Sequence, residues 1–277
     1  MTECGLTNLA TCLPEKFFEY IASMINSGIQ PLLNFVQNLL TEPVNINTFH
    51  SLWAIIIYII SMFYALFFLF AGFNLMISGH DVGKRENAKN WLRNVVLMIL
   101  FVQASFLIYD LIIEFASLMT TGVIQLIDPN FFLMTTDNML NFSLDFSFLL
   151  VYLSVLLLTI LLLGLRYLLV AIGVVLFPFA MFFYFIPPLQ SYGKLILNVL
   201  VVSIFVPFFD AIILFGASAL LGISIFSGFK IALVSVAFIS INLLMVFMVI
   251  FVVIKAAFGV LNSDVGRGVK KAVKYFV

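Results

Sequence analysis

The sequence predicts an all-α protein, a polytopic transmembrane helical bundle with about five to six membrane-crossing helices and an N-terminal amphipathic helix. Two observations support this prediction. Of the 277 residues, 64% are hydrophobic and only 9% are charged, whereas a soluble domain has about 45–50% apolar and about 25% charged residues. The apolar residues also form long runs, and about 20 of them in a row cross a hydrocarbon core of about 30 Å. Lipid is therefore the expected solvent for most of the chain.

Residues 1–50 are predicted to be an external segment that contains an interfacial amphipathic helix over residues 14–40. Pro14 suits a first helical position, and Pro31 is expected to bend the helix. Serine, asparagine and glutamine residues face away from one apolar stripe, so the helix is too polar to cross a membrane. The stripe consists of Phe17, Ile21, Met24, Ile25, Gly28, Leu32, Val36, Leu39 and Leu40. Cys4 and Cys12 either form a disulfide or remain two thiols.

Residues 51–258 are predicted to form the transmembrane bundle. Residues 51–78 carry no charge, and a second apolar run covers residues 94–127. After an acidic loop come about forty apolar residues, 146–186, which would be roughly 60 Å long as one helix. We therefore expect a span up to about Arg166 and then a re-entrant or interfacial piece broken at Pro178.

The last two spans are expected at residues 195–221 and 231–255. If the stretch 146–186 crosses once, the chain has five crossings. If it crosses twice, the chain has six, and the alternative stays open on the sequence alone.

The distribution of basic residues predicts the orientation. Short loops rich in Lys and Arg remain in the cytoplasm. Four basic residues lie in residues 79–93, and four more lie in the tail, residues 259–277; they are Lys84, Arg85, Lys89, Arg93, Arg267, Lys270, Lys271 and Lys274. The first fifty residues hold one Lys and four Glu. We expect a multi-pass protein of the cell membrane with its N-terminus outside and its C-terminus in the cytoplasm.

Four ionisable residues fall within the apolar runs and are candidate functional residues. Asp110 and Glu114 are four residues apart and share one helix face, and Asp210 lies in a later span. A carboxylate at membrane depth costs about 2.5–3.5 kcal/mol on insertion scales, so it normally faces a bundle interior or a wet cavity. Arg166 is the expected partner of these acids. They form either a proton or cation relay, or protonated and paired groups that lock helices together.

Two prolines interrupt the apolar runs. Pro178 and Pro207 each remove a backbone donor and free a carbonyl, as the broken helices of transporters do. Ordinary kinks are the alternative, because proline is common in membrane helices.

The basic residues near the first span form a stripe. Arg85, Lys89 and Arg93 recur every four residues, which predicts one charged helix face at the cytoplasmic surface. Such a face binds anionic lipid, an acidic partner or nucleic acid, or only sets the topology.

Known catalytic motifs are missing from the sequence. No P-loop, zinc-binding helix pair, nucleophile elbow or dinucleotide fingerprint is present, so we expect no enzyme and no cofactor or metal. His50 and His80 flank the first span and are too far apart for one site. The triplet that begins at Asn141 is a candidate glycosylation acceptor.

One segment has a family likeness. It runs Ala71-Gly72-Phe73-Asn74-Leu75-Met76-Ile77-Ser78-Gly79, then Lys84-Arg85, Ala88-Lys89 and Leu92-Arg93-Asn94 before an apolar run. It resembles the hairpin of conjugative type IV secretion membrane proteins, found in pilin-like subunits and in polytopic TrbL-type channel components. A second stretch resembles the polytopic class: Arg166-Tyr167, Phe177-Pro178-Phe179-Ala180, Ile186-Pro187-Pro188 and Gly193-Lys194. Archaeal DNA-import proteins of the CedA type are similar in size and design. The likeness covers roughly residues 50–255.

The resemblance implies an integral platform or channel component that assists the transfer of DNA or nucleoprotein across the cell membrane. It implies membrane lipid, a cytoplasmic secretion-type ATPase, pilin-like subunits and further copies of the chain as partners. DNA contact would occur at an oligomeric interface, because the spans hold Arg166 against three acids and no basic lining. Two other functions remain open. One is a secondary transporter or ion channel that uses the intramembrane carboxylates, and the other is a purely structural membrane subunit.

Overall fold

The computed structural model describes residues 9–80, 82–132, 142–223 and 229–261. These residues form seven α-helices and several short 3-10 turns, and they contain no strand. The helices are α1 (Leu9–Thr41), α2 (His50–Ile77), α3 (Val82–Gln103), α4 (Ser105–Ile124), α5 (Phe142–Phe185), α6 (Gln190–Leu221) and α7 (Lys230–Leu261). The predicted all-α fold class is confirmed.

Five stretches of the described residues are long and apolar enough to cross a membrane. They are Asn47–Ile77, Ser105–Ile124, Leu150–Phe185, Pro187–Leu221 and Lys230–Lys255. The chain is therefore a multi-pass membrane protein by length and composition. The lower of the two predicted numbers of spans agrees with this set.

Helix α1 begins at Leu9, earlier than predicted, so Pro14 lies inside the helix and not at its first position. The predicted apolar stripe is covered unevenly. In the second half of the helix Val36 and Leu40 are buried, whereas Phe17 in the first half is 60% exposed. The apolar periodicity is the same in both halves, so the pattern alone does not determine which part of the stripe is covered.

The second predicted span is divided between α3 and α4 at Ala104. The break is small, because the Ala104 amide still bonds the Leu100 carbonyl and the Ile108 amide bonds the Ala104 carbonyl, each at 3.0 Å. Ser105 follows the break, is fully buried, and accepts a hydrogen bond of 2.9 Å from the indole nitrogen of Trp53. This contact ties α2 to the start of α4.

Helix α5 is continuous over 44 residues and contains Pro178. The predicted re-entrant piece broken at Pro178 is therefore wrong. A proline inside a helix removes one hydrogen bond, whereas a broken segment in lipid would expose several unpaired backbone groups. Continuing the helix is the cheaper solution, and α5 is about 66 Å long as a result. Pro207 likewise lies inside α6.

The helices contribute to two compact units. Unit 1 holds the described residues of Met1–Glu42, Ala116–Leu165 and Val206–Val246, and unit 2 holds those of Pro43–Phe115, Arg166–Phe205 and Phe247–Val277.

Unit 1 is packed around aromatic rings and one buried amide. The Phe238 ring lies 5.9 Å from the Tyr152 ring and 6.2 Å from the Phe132 ring, measured between centroids. The Asn242 side chain donates a hydrogen bond of 3.2 Å to the Val155 carbonyl. These contacts join α5 to α7.

Unit 2 has an apolar core between α2, α3 and the end of α5. The core consists of Ile57, Ile60, Val95, Met98, Val102, Phe182 and Ile186. Aromatic rings extend it, since Phe67 stacks on Trp91 with centroids 6.0 Å apart and contacts the Phe182 ring edge-on. Gly193 is required at the start of α6, because a Cβ there would run into the backbone of Ala180 and Tyr184.

Several sequence predictions lie outside the described residues. Cys4, Asn141 and the tail residues Arg267, Lys270, Lys271 and Lys274 are among them. The disulfide, the glycosylation acceptor and the cytoplasmic location of the basic tail, residues 259–277, stay predictions.

The number of crossings is testable by site-directed labelling. In a background with Cys4 and Cys12 replaced by Ser, single cysteines at Gly79, Gln125 and Ser191 are treated with a membrane-impermeant maleimide on sealed vesicles. Because α5 is one continuous helix with one candidate span, we expect positions 125 and 191 to be labelled from opposite sides and positions 79 and 191 from the same side. Labelling of 125 and 191 from one side would establish six crossings.

Candidate functional site

Arg166 lies within an apolar span of α5 and bonds to the backbone of α6. Its Nε donates to the Ser203 carbonyl at 2.8 Å, and its Nη2 donates to the Ile204 carbonyl at 3.2 Å. The side chain is half-buried. A guanidinium always carries charge and has five N–H donors, so neighbouring carbonyls are effective partners for it in a medium without water.

The sequence explains why one of these carbonyls accepts a side chain. Ser203 precedes Pro207 by four residues in α6, and Pro207 has no N–H to donate to it. The proline thus frees the carbonyl that Arg166 occupies. The sequence predicts that Pro207 frees a carbonyl, as the broken helices of transporters do. The group that binds the freed carbonyl is the Arg166 side chain of the same protein.

Tyr109 extends this arrangement to α4. Its hydroxyl donates a hydrogen bond of 2.7 Å to the Val170 carbonyl, one helical turn after Arg166, and the residue is fully buried. Gly173 permits the approach, because a Cβ at this position would run into the Tyr109 hydroxyl and into Leu200. We call this set, Tyr109, Arg166, Val170, Ser203 and Ile204, the Arg166 node. It joins α4, α5 and α6 within unit 2.

The two acids of α4 are less enclosed than predicted. Asp110 is half-buried and Glu114 is exposed. At about 100° per residue, Glu114 falls among Leu107, Leu111 and Leu118 on one helix face. All three leucines are more than half exposed, at 69%, 62% and 72%. A carboxyl group therefore lies in an uncovered apolar stripe of a candidate membrane span.

Asp210 belongs to unit 1 and is fully buried in α6. It lies within the candidate span Pro187–Leu221, three residues after Pro207. The predicted pairing of Arg166 with the acids stays a prediction. Pro178 is buried within α5.

The α3 residues of the predicted basic patch lie on two different faces of the helix. Lys84, Arg85, Lys89 and Arg93 are all exposed. Arg85, Lys89 and Arg93 fall within an arc of about 80°, and Lys84 is about 140° from the centre of that arc. We call Arg85, Lys89 and Arg93 the basic stripe. Lys84 is not part of it.

Sequence reasoning missed Asn242 and Tyr109. Each is a polar side chain in an apolar run whose hydrogen bond reaches another helix. Such residues are a recognised signal for contacts between membrane helices. Among the described residues, no cluster of His, Cys, Asp and Glu has the geometry to hold a metal ion.

No protein-family model, curated protein or solved structure matches the chain.

The coupling between Arg166 and Pro207 is testable by a double-mutant cycle on the purified protein in mixed micelles. We expect Arg166→Leu to lower the free energy of unfolding by about 1–3 kcal/mol, because hydrogen bonds from a charged donor are lost. In the Pro207→Ala background the loss should be smaller, since the alanine supplies the backbone N–H that the Ser203 carbonyl otherwise lacks. Equal losses in both backgrounds would show that Arg166 acts elsewhere.

Proposed function

We propose that this chain is an integral platform subunit of a conjugation-like type IV secretion system, where it assists the transfer of DNA or nucleoprotein across the cell membrane. The proposal has two parts with different support. Membership in a larger membrane assembly is supported by Glu114. The link to DNA transfer is supported by the hairpin motif at residues 71–94 and by the proline-containing motif at residues 166–194.

Glu114 is the observation that carries the first part. An ionisable side chain that faces hydrocarbon is costly, and such groups normally face protein or water. Glu114 lies in the exposed stripe of Leu107, Leu111 and Leu118. A helix of another subunit on this stripe would remove the group from lipid, which favours a chain that works in an assembly.

The Arg166 node favours a static role over a relay. Two of the guanidinium donors hold the α6 backbone, and the Tyr109 hydroxyl holds the α5 backbone. Groups fixed to carbonyls in this way maintain helix positions. A platform needs helices whose positions do not change.

The basic stripe is the proposed docking surface for a cytoplasmic ATPase or for the transferred DNA. Three cations project from one side of α3 at the end of a membrane span. In the proposed orientation this end is cytoplasmic and the N-terminus is outside. In intact cells, the impermeant label should therefore reach a cysteine at Gln125 and not one at Gly79.

The docking role predicts a loss of DNA transfer when the stripe is neutralised. The variant Arg85→Gln, Lys89→Gln, Arg93→Gln should reduce transfer of a genetic marker between cells about tenfold or more. Three exposed ion pairs at about 0.5 kcal/mol each amount to about 1.5 kcal/mol, which is about a tenfold change in binding.

The matched control keeps the charge. The variant Arg85→Lys, Lys89→Arg, Arg93→Lys should transfer DNA within about twofold of the native level, because exposed pairs depend mainly on charge. Membrane levels of both variants are measured by immunoblot. Normal transfer by the neutral variant at a normal membrane level would remove the docking role.

A second candidate function is ion-coupled transport, and the buried Asp210 is the observation that favours it. A carboxylate inside a membrane bundle marks an ion or proton path by default. In that case the purified protein should transport ions or protons in liposomes by itself. Asp210→Asn should then reduce the flux at least about tenfold, since the titratable group is lost.

The control for this experiment is Glu42→Gln, which removes an exposed carboxylate after α1. Flux is recorded with a pH-sensitive dye and with an ion-selective electrode. Absence of flux in the native protein would leave the platform as the function that the observations favour.

A further inference from the structure

A cavity of about 260 Å³ lies where α2 ends and α3 begins. Asn74 and Ser78 line it from the end of α2 and the following turn, and Lys84, Asn87 and Trp91 line it from α3. On α3 these three residues are spaced three and four apart, so they share one face of the helix. The cavity belongs entirely to unit 2.

The lining suits a phosphate group. Lys84 supplies a cation, the amides of Asn74 and Asn87 supply N–H donors, and Trp91 adds an indole that donates only. None of the described residues that line the cavity is acidic.

Two phenylalanine rings of α2 pack against the Trp91 indole. Trp91 stacks on Phe67 and contacts the Phe70 ring edge-on, with centroids 5.3 Å apart. Tryptophan in such a position is typical of the membrane–water interface, where one edge is apolar and the other meets headgroups.

One residue that lines the cavity is apolar and exposed. Ile77 is 80% exposed. Its side chain lies beside the polar lining at the end of a membrane span. A ligand that carries both a phosphate and acyl chains would cover Ile77 and fill the cavity together, whereas a free phosphate would leave Ile77 exposed.

The cavity is separate from the basic stripe. Lys84 lines the cavity, and Arg85, Lys89 and Arg93 lie on the other side of α3. Variants of one surface therefore leave the other unchanged.

We propose that this cavity binds the headgroup phosphate of an anionic phospholipid, with Lys84 as the counter-ion. A zwitterionic lipid fits less well, because its ammonium group would lie close to the Lys84 ammonium. Bound lipid would fix the turn between α2 and α3. The inference does not depend on the proposed function.

The test is lipid retention by the purified full chain in detergent micelles, measured by native mass spectrometry during titration with phosphatidylglycerol. We expect native protein to retain this lipid at least about tenfold more strongly than Lys84→Gln. A change of this size corresponds to the loss of one charge-assisted contact. Arg85→Gln is the matched control, since it removes the neighbouring charge outside the cavity, and it should stay within about twofold of native.

Two further variants keep the experiment decisive if Lys84→Gln unfolds. Lys84→Arg should restore retention, and Asn87→Leu should weaken it without removing charge. Equal losses for Lys84→Gln and Arg85→Gln would mean that surface charge alone attracts the lipid, which would overturn the proposal.

The source of the phosphate is decided by competition. Phosphatidylcholine should compete at least about tenfold less well than phosphatidylglycerol, because it adds a cation. Inorganic phosphate and a short single-stranded DNA should not displace the lipid at equal concentration. Inorganic phosphate or DNA could instead displace the lipid from native protein but not from Lys84→Gln. That result would show a site for free phosphate or for nucleic acid, and it would overturn the lipid assignment.

Discussion

The Arg166 guanidinium bonds to the Ser203 and Ile204 carbonyls, and the joining of α5 to α6 in unit 2 depends on this contact. Lipid offers no hydrogen bonds, so every polar group at membrane depth needs a partner in the protein. Pro207 leaves the Ser203 carbonyl without its usual backbone donor, and the Arg166 side chain donates to that carbonyl. Each group satisfies the other, which makes the contact specific for this pair of helices.

The same constraint recurs at smaller scale elsewhere in the chain. In unit 1 the Val155 carbonyl accepts a hydrogen bond from the Asn242 amide. In unit 2 the Ser105 hydroxyl accepts a hydrogen bond from the Trp53 indole. In lipid there is no hydrophobic drive for helices to associate, so close packing and interhelical hydrogen bonds hold them together. These polar contacts therefore act together with the packed aromatic and aliphatic side chains around them.

The groups that the fold leaves uncovered define what the protein offers to partners. Glu114 lies in an apolar stripe, the basic stripe projects from α3, and a cavity of about 260 Å³ lies beside Lys84. Each has a different chemical match: another membrane helix, an acidic or nucleic-acid surface, and an anionic lipid headgroup. The proposed platform role would use all three surfaces, since such a subunit must be held in the membrane, join neighbours and receive a substrate or motor.

The sequence alone determined the helical class, the apolar spans and the candidate ionisable residues. Hydropathy and charge are local properties, and only long apolar segments with few charges are stable in the hydrocarbon core. It failed where the outcome depends on neighbours. Continuity of α5 through Pro178 reflects the cost of unpaired backbone in lipid. Phe17 is exposed and Val36 is buried on one predicted stripe, because periodicity does not specify which part of a helix other elements cover. Only tertiary structure decided that Arg166 bonds to backbone carbonyls, because the distance between α5 and α6 is set by packing along both helices.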